Sequence, residues 1–115
     1  MTPGRFNFTC PQGSTFNPIL TWKIDNTPVD ITGYSARLQV RETHTSDEYI
    51  LNLTKLNAGI TLGGSAGTIQ LYISASDTSA CIPGDNVYDL EVISSDSTVS
   101  RLIEGRFNIT PEVTR

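Results

Sequence analysis

Gly63-Gly64-Ser65-Ala66-Gly67 spells G-x-S-x-G, the pattern of a nucleophile elbow, and makes Ser65 the first candidate for chemistry. An elbow serine works between a buried parallel strand and a helix whose first amides stabilise the oxyanion. The segment that follows here, Thr68-Ile69-Gln70-Leu71-Tyr72-Ile73, alternates and is rich in β-branched residues, so a strand is expected where the helix should start. A hydrolase of that fold also needs a parallel sheet and more chain than 115 residues supply. The motif therefore reads as a tight reversal whose glycines supply positive φ.

Three other constellations can be tested in the same way. His44 is the single histidine, which excludes a zinc site built on two or more imidazoles. It sits in the polar run Glu42-Thr43-His44-Thr45-Ser46-Asp47-Glu48, where a solvated ring is expected, and no D-x-D-x-D-G pattern turns Asp47 and Glu48 into a calcium loop. Asp89 and Glu91 lie two residues apart on one strand face, which suggests surface ion pairs with Arg37, Arg101 or Arg106 rather than an acid and base in a pocket. Of the aromatic residues, Phe6, Phe8, Trp22 (with Leu20 and Ile24 on its side), Tyr34, Tyr49, Tyr88 and Phe107 fall on the apolar phase of their segments, and Tyr72 falls on the wet phase. No catalytic residue, cofactor or metal is expected from this inventory.

The segments that must position these residues show a two-residue rhythm and almost no helical period. Strands are expected over 5–10, 16–25, 34–42, 48–54, 68–74, 86–95 and 98–110, with a short extra one over 59–62. The clearest alternates Tyr34, Ala36, Leu38 and Val40 against Ser35, Arg37, Gln39 and Arg41. In the last run Ile103, Phe107 and Ile109 share one phase and Leu102 falls out of it, the mark of a bulge. Asp25-Asn26-Thr27-Pro28, Thr32-Gly33, Asn57-Ala58-Gly59, Pro83-Gly84-Asp85-Asn86 and Ser95-Asp96-Ser97 supply turns. Ser76 to Cys81 is expected to form one helical turn capped by Ser76 or Asp77 and ended by Pro83-Gly84. About seven strands and one helical crossover imply an all-β protein, an antiparallel Greek-key sandwich of the immunoglobulin type, in one domain over 1–115, with a small barrel as the nearest rival.

A net charge of −4 without any Lys or Arg run gives no footprint for nucleic acid. No apolar stretch approaches the roughly 20 residues of a membrane helix, and the start MTPGRFNFT lacks the apolar core of a signal peptide. A soluble protein made in the cytoplasm is expected, and with it Cys10 and Cys81 read as free, partly buried thiols. The sequons at Asn7, Asn52 and Asn108 then stay unmodified; glycans there would instead mark a cell-surface adhesion domain.

The order of segments carries a resemblance. Phe16 with Leu20-Thr21-Trp22-Lys23, then Thr27-Pro28-Val29-Asp30-Ile31-Thr32-Gly33-Tyr34 and Ala36-Arg37-Leu38-Gln39-Val40-Arg41, resembles the start of small immunoglobulin-like virion proteins of tailed bacteriophages. It is similar to the N-terminal domain of phage upper-baseplate proteins and their single-domain relatives. Gly67-Thr68-Ile69-Gln70-Leu71, Tyr88-Asp89-Leu90-Glu91-Val92 and the close from Glu104-Gly105-Arg106-Phe107 to Arg115 agree in kind and order.

The resemblance implies a noncatalytic structural part of a virion, assembled in the host cytoplasm: a tail, baseplate or neck adaptor that seats fibres or receptor-binding proteins. Its partners would be other virion proteins, in multiple copies of a symmetric assembly, without nucleic acid or membrane. A capsid decoration protein and a carbohydrate-binding module are the alternatives, the latter needing an exposed aromatic patch. The segments expected to contact partners are Met1, Thr2, Pro3, Gly4 and Arg5, and Pro111, Glu112, Val113, Thr114 and Arg115, because short, extended, Pro-bearing chain ends can pair with a neighbour's edge strand.

Overall fold

The strongest alternations in the sequence become the longest strands. In a computed structural model that describes residues 3–115, the elements are β1 (Gly4–Arg5), β2 (Phe8–Pro11), β3 (Ile19–Thr21), β4 (Lys23–Ile24), β5 (Thr27–Pro28), β6 (Ser35–Arg41), β7 (Leu51–Thr54) and β8 (Ile60–Leu62), followed by β9 (Thr68–Leu71), the helical turn α1 (Ala75–Ser79), β10 (Gly84–Ile93) and β11 (Val99–Thr110). The larger sheet runs β1, β11, β10, β6, β7, with β2 also on β11. The smaller runs β3, β9, β8, and β4 with β5 makes a separate hairpin.

The fold is an immunoglobulin-like β-sandwich. Strands β3, β9 and β8 stand where strands B, E and D do, and β11, β10, β6 and β7 where G, F, C and C′ do. The sequence implied antiparallel pairing throughout; β1 and β2 instead both run parallel to β11, and the remaining pairs are antiparallel. Among the described residues the first strand thus lies entirely on the larger sheet, and β3 keeps no neighbour on its outer side.

Between the sheets one core joins Leu38, Val40, Leu90 and Val92 of the larger sheet to Ile60, Ile69 and Leu71 of the smaller. Phe107, fully buried, is its aromatic centre. Its ring lies 5.3 Å from Phe16, 6.1 Å from Phe8 and 6.2 Å from Tyr88, edge-on or tilted, as quadrupoles prefer. The Tyr88 hydroxyl donates to the Phe6 carbonyl at 2.6 Å, which satisfies the one polar atom of this cluster. Burial drives the phenol pKa up, so it remains a donor.

Several local expectations need correction. Phe6 (51% exposed), Ile24 (58%) and Tyr49 (53%) share the apolar phase of their segments but leave the core, because the strands break at residues 6 and 22, β7 begins only at Leu51, and alternation does not extend beyond the paired residues. The helical turn starts earlier than expected: Ser74, not Ser76 or Asp77, is the cap, its Oγ accepting from the Asp77 N–H at 3.1 Å. That turn is strapped to the chain start, since the buried Thr78 hydroxyl donates to the Ser14 carbonyl at 2.8 Å and accepts from the Gly13 N–H at 3.1 Å. The bulge at Leu102 is present: Leu90 pairs Ile103 and Glu91 pairs Arg101, leaving Leu102 as the extra residue. The Asp25-Asn26 turn is a two-residue hairpin loop with both φ positive (51° and 65°), the twist that suits β4 and β5.

Candidate partner-binding surface

The segment around Ser65 is a 3-10 turn over Gly64–Ala66 that feeds straight into β9. No helix follows, and Ser65 is exposed with none of the geometry of an elbow. Positive φ explains only part of the glycine pattern. Gly64 (62°) and Gly67 (68°) need it, and a Cβ on Gly67 would also meet the Trp22 and Val29 carbonyls at 2.8 and 2.9 Å. Gly63 has φ −92° and is small because the Thr68 side chain occupies the space a Cβ would take.

The carboxylates of the larger sheet are engaged by arginines, as their spacing implied. Glu91 holds Arg37 at 2.7 Å, Asp89 holds Arg101 at 3.5 Å, Glu104 holds Arg101 at 3.3 Å and Arg5 at 3.2 Å, and Asp85 holds Arg106 at 3.7 Å. Partial burial raises the Asp89 pKa, against the pull of Arg101 and with the push of Glu91 and Glu104. His44, Asp47 and Glu48 are exposed in the loop, and no group of three or more metal-ligating side chains occurs among the described residues. Cys10 and Cys81 are both buried and unpaired. Burial, with Cys81 adding to it, pushes the Cys10 thiol up to about 11; Cys81 also rises through burial, helped by Asp77.

The most distinctive surface lies at the outer side of β3. Leu20 faces Ile69 in the ladder, flanked by bonds from the Trp22 N–H to the Gly67 carbonyl (2.8 Å) and from the Leu71 N–H to the Pro18 carbonyl (2.9 Å). In an antiparallel pair this alternation turns the N–H and C=O of Ile19 and Thr21 away from β9. Among the described residues none bonds back to them. Beside this bare edge runs an open groove of about 470 Å³ between the sheets, walled by Phe6, Leu20, Trp22, Ile69, Leu102 and Ile103, with Arg5 and Lys23 also on its lining. Ile19 (63% exposed) and Ile24 extend the apolar surface outside it.

The residues expected to meet partners fall into two groups. Met1 and Thr2 lie outside the described residues. Pro3 is half-buried, and Gly4 and Arg5 are paired within their own sheet as β1, opposite Ile103 and Glu104, so they form an edge rather than a free arm. At the other end Glu112 is half-buried, its N–H donating to the Gln12 side chain at 3.0 Å. Pro111, Val113, Thr114 and Arg115 are exposed, Val113 at 93%. The β3 edge went unnoticed in the sequence, because nothing in Ile19-Leu20-Thr21 says which sheet the first strand will join.

No protein-family model and no curated protein matches the chain. Among solved structures, the extracellular domain of the voltage-gated sodium channel beta4 subunit, described as forming parallel homodimers that explain its role in cell–cell adhesion, is similar over 98% of this chain and 97% of its own, at 12% identity and a TM-score of 0.43. The superposition is too loose to carry an argument about site or partner, and the fold assignment rests on the strand order given above.

Proposed function

We propose that this chain is a noncatalytic assembly module: a structural virion protein of a tailed bacteriophage that binds neighbouring subunits as a tail, baseplate or neck adaptor. The sequence resemblance supports the place, and the observation that carries the mode of action is the bare β3 edge beside an apolar groove. Unpaired backbone groups next to exposed apolar side chains are what a monomer normally covers. In a symmetric particle one modest contact repeats around the ring, so weak single interactions sum to a durable one. The same surface would serve a capsid decoration protein.

The test is mass spectrometry of purified particles together with a reconstruction of the tail. Stoichiometric multiple copies at the tail or neck support the reading; absence from particles, or turnover of an ester or glycoside by the purified protein, overturns it.

A carbohydrate-binding module is favoured by a different observation. Tyr49 lines a groove of about 890 Å³ at the end of the sandwich, with Glu42, Asp77 and Asp85 also on its wall. Against it, Tyr88 is buried and Trp22 and Tyr34 are half-buried, so the exposed aromatic surface that such modules use reduces to Phe6, Tyr49 and Tyr72. A glycan array showing specific retention that Tyr49→Ala removes would replace the assembly reading.

A further inference from the structure

Two parts of the molecule are incomplete in complementary ways. The β3 edge offers outward N–H and C=O groups at Ile19 and Thr21, with an apolar groove alongside. The segment 111–115 is outside any strand, carries a nearly fully exposed valine at 113, and leaves the N–H groups of residues 113–115 without a bond among the described residues. Three residues, 113–115, match the length of β3.

The geometry points to a head-to-tail contact in which residues 113–115 of one copy add as a strand to the β3 edge of the next, with Val113 entering the groove between Phe6, Trp22 and Leu102. This rests on the assembly reading and names the partner as a second copy of the chain.

The contact has to form between copies. The groove is at the Leu102 and Ile103 end of β11, and from Ile103 to Thr110 that strand runs about 23 Å, at roughly 3.3 Å per residue. Val113 lies only about 10 Å of extended chain beyond Thr110, so a molecule cannot fill its own groove. What favours a second copy is the match of unsatisfied groups: outward N–H and C=O at Ile19 and Thr21 on one side, and on the other the exposed Val113 with N–H groups at 113–115 that make no bond among the described residues. Because donor segment and acceptor edge are different surfaces, the contact is heterologous and propagates into rings or filaments instead of closing as a dimer.

Two measurements test this on the full chain. Trp22, the single tryptophan, lines the groove, so a synthetic peptide of residues 108–115 is titrated while indole emission is followed. A saturable blue shift is expected, with affinity reduced about tenfold or more when the peptide carries Val113→Asp. Sedimentation velocity over a concentration series then compares wild type with Val113→Asp and with Thr21→Pro, which removes an outward N–H that makes no bond to β9. Each variant alone should remain monomeric, and an equimolar mixture should yield dimers and nothing larger, since each retains one intact half. The contact is overturned by association that survives Val113→Asp, by a closed dimer formed through β3 alone, or by a monomer whose emission ignores the peptide. The peptide titration uses wild-type protein and stands even if Thr21→Pro unfolds. A monomer in solution that is nevertheless found in multiple copies in particles sinks this contact and leaves the adaptor reading standing.

Discussion

The pair β10–β11 and the strand β3 occupy opposite sheets and were built under opposite constraints. β10 runs over Gly84–Ile93 with neighbours on both sides, β6 and β11, and its inward residues Tyr88, Leu90 and Val92 are nearly inaccessible. β3 is three residues long, has one neighbour, and its Leu20 is only half-buried. The larger sheet therefore supplies the long strands paired on both sides, whereas the smaller sheet joins Ile60, Ile69 and Leu71 to the shared core and leaves its unsatisfied surface at the β3 rim. A binding function placed on the rim of the smaller sheet can vary without endangering the fold.

Substitutions can break that contrast. The largest effect is expected for Phe107→Ala, which removes the fully buried ring where β11 meets Phe8, Phe16 and Tyr88; denaturant unfolding should show a loss of about 3–5 kcal/mol. A truncation at the rim, Ile19→Ala, should cost less than about 0.5 kcal/mol, since Ile19 is 63% exposed. If the two costs came out alike, the division of labour between the sheets would be wrong.

Next is the alkaline limb of stability. The Cys10 thiol titrates near 9.0 when unfolded and at about 11 in the fold. Its contribution is thus fully present below pH 9.0 and lost as pH rises through about 11. In thermal melts from pH 8 to 11 the Cys10 share of the decline should be of order 2 kcal/mol at most, and Cys10→Ala should make the decline shallower, leaving what the raised Cys81 and Tyr88 contribute. A comparable decline in the variant would assign it to another group. Smaller again is Ser74→Ala, which removes the cap of α1 and should cost about 1 kcal/mol in the same denaturant assay. Small too is Arg37→Ala: its pair with Glu91 is at 2.7 Å, but the guanidinium side chain is 53% exposed, so screening holds the cost below about 1 kcal/mol and salt should erase it.

The sequence disclosed the larger sheet better than the smaller for a physical reason. Strand β6 alternates over Ser35–Arg41 because one face is core and the other water, and that demand is written residue by residue. The bulge at Leu102 was legible for the same reason, as one apolar residue out of step. Phe6, Ile24 and Tyr49 misled because their alternation continues past the point where backbone pairing stops, and pairing is decided by residues far away in the chain. The free β3 edge is the extreme case. It exists because Gly4, Arg5 and Phe8–Pro11 pair with β11, a choice settled nearly the whole chain length away from it. Of the anticipated contact residues, Val113 gained most from the structure, as an exposed apolar residue in a segment with free backbone.

The additional residue at 102 also determines where the chain tolerates a change of length. Register on one side is set by Leu90 opposite Ile103 and on the other by Glu91 opposite Arg101, so deleting Leu102 would close an ordinary ladder and keep every flanking side chain on its present face. A single-residue deletion elsewhere between Val99 and Thr110 would instead turn a whole stretch of the strand inside out, unless the chain slid to consume the slack stored at that one position. Insertions and deletions in this strand should therefore accumulate around 102, and a lineage that lost the residue would keep its fold and lose one wall of the groove.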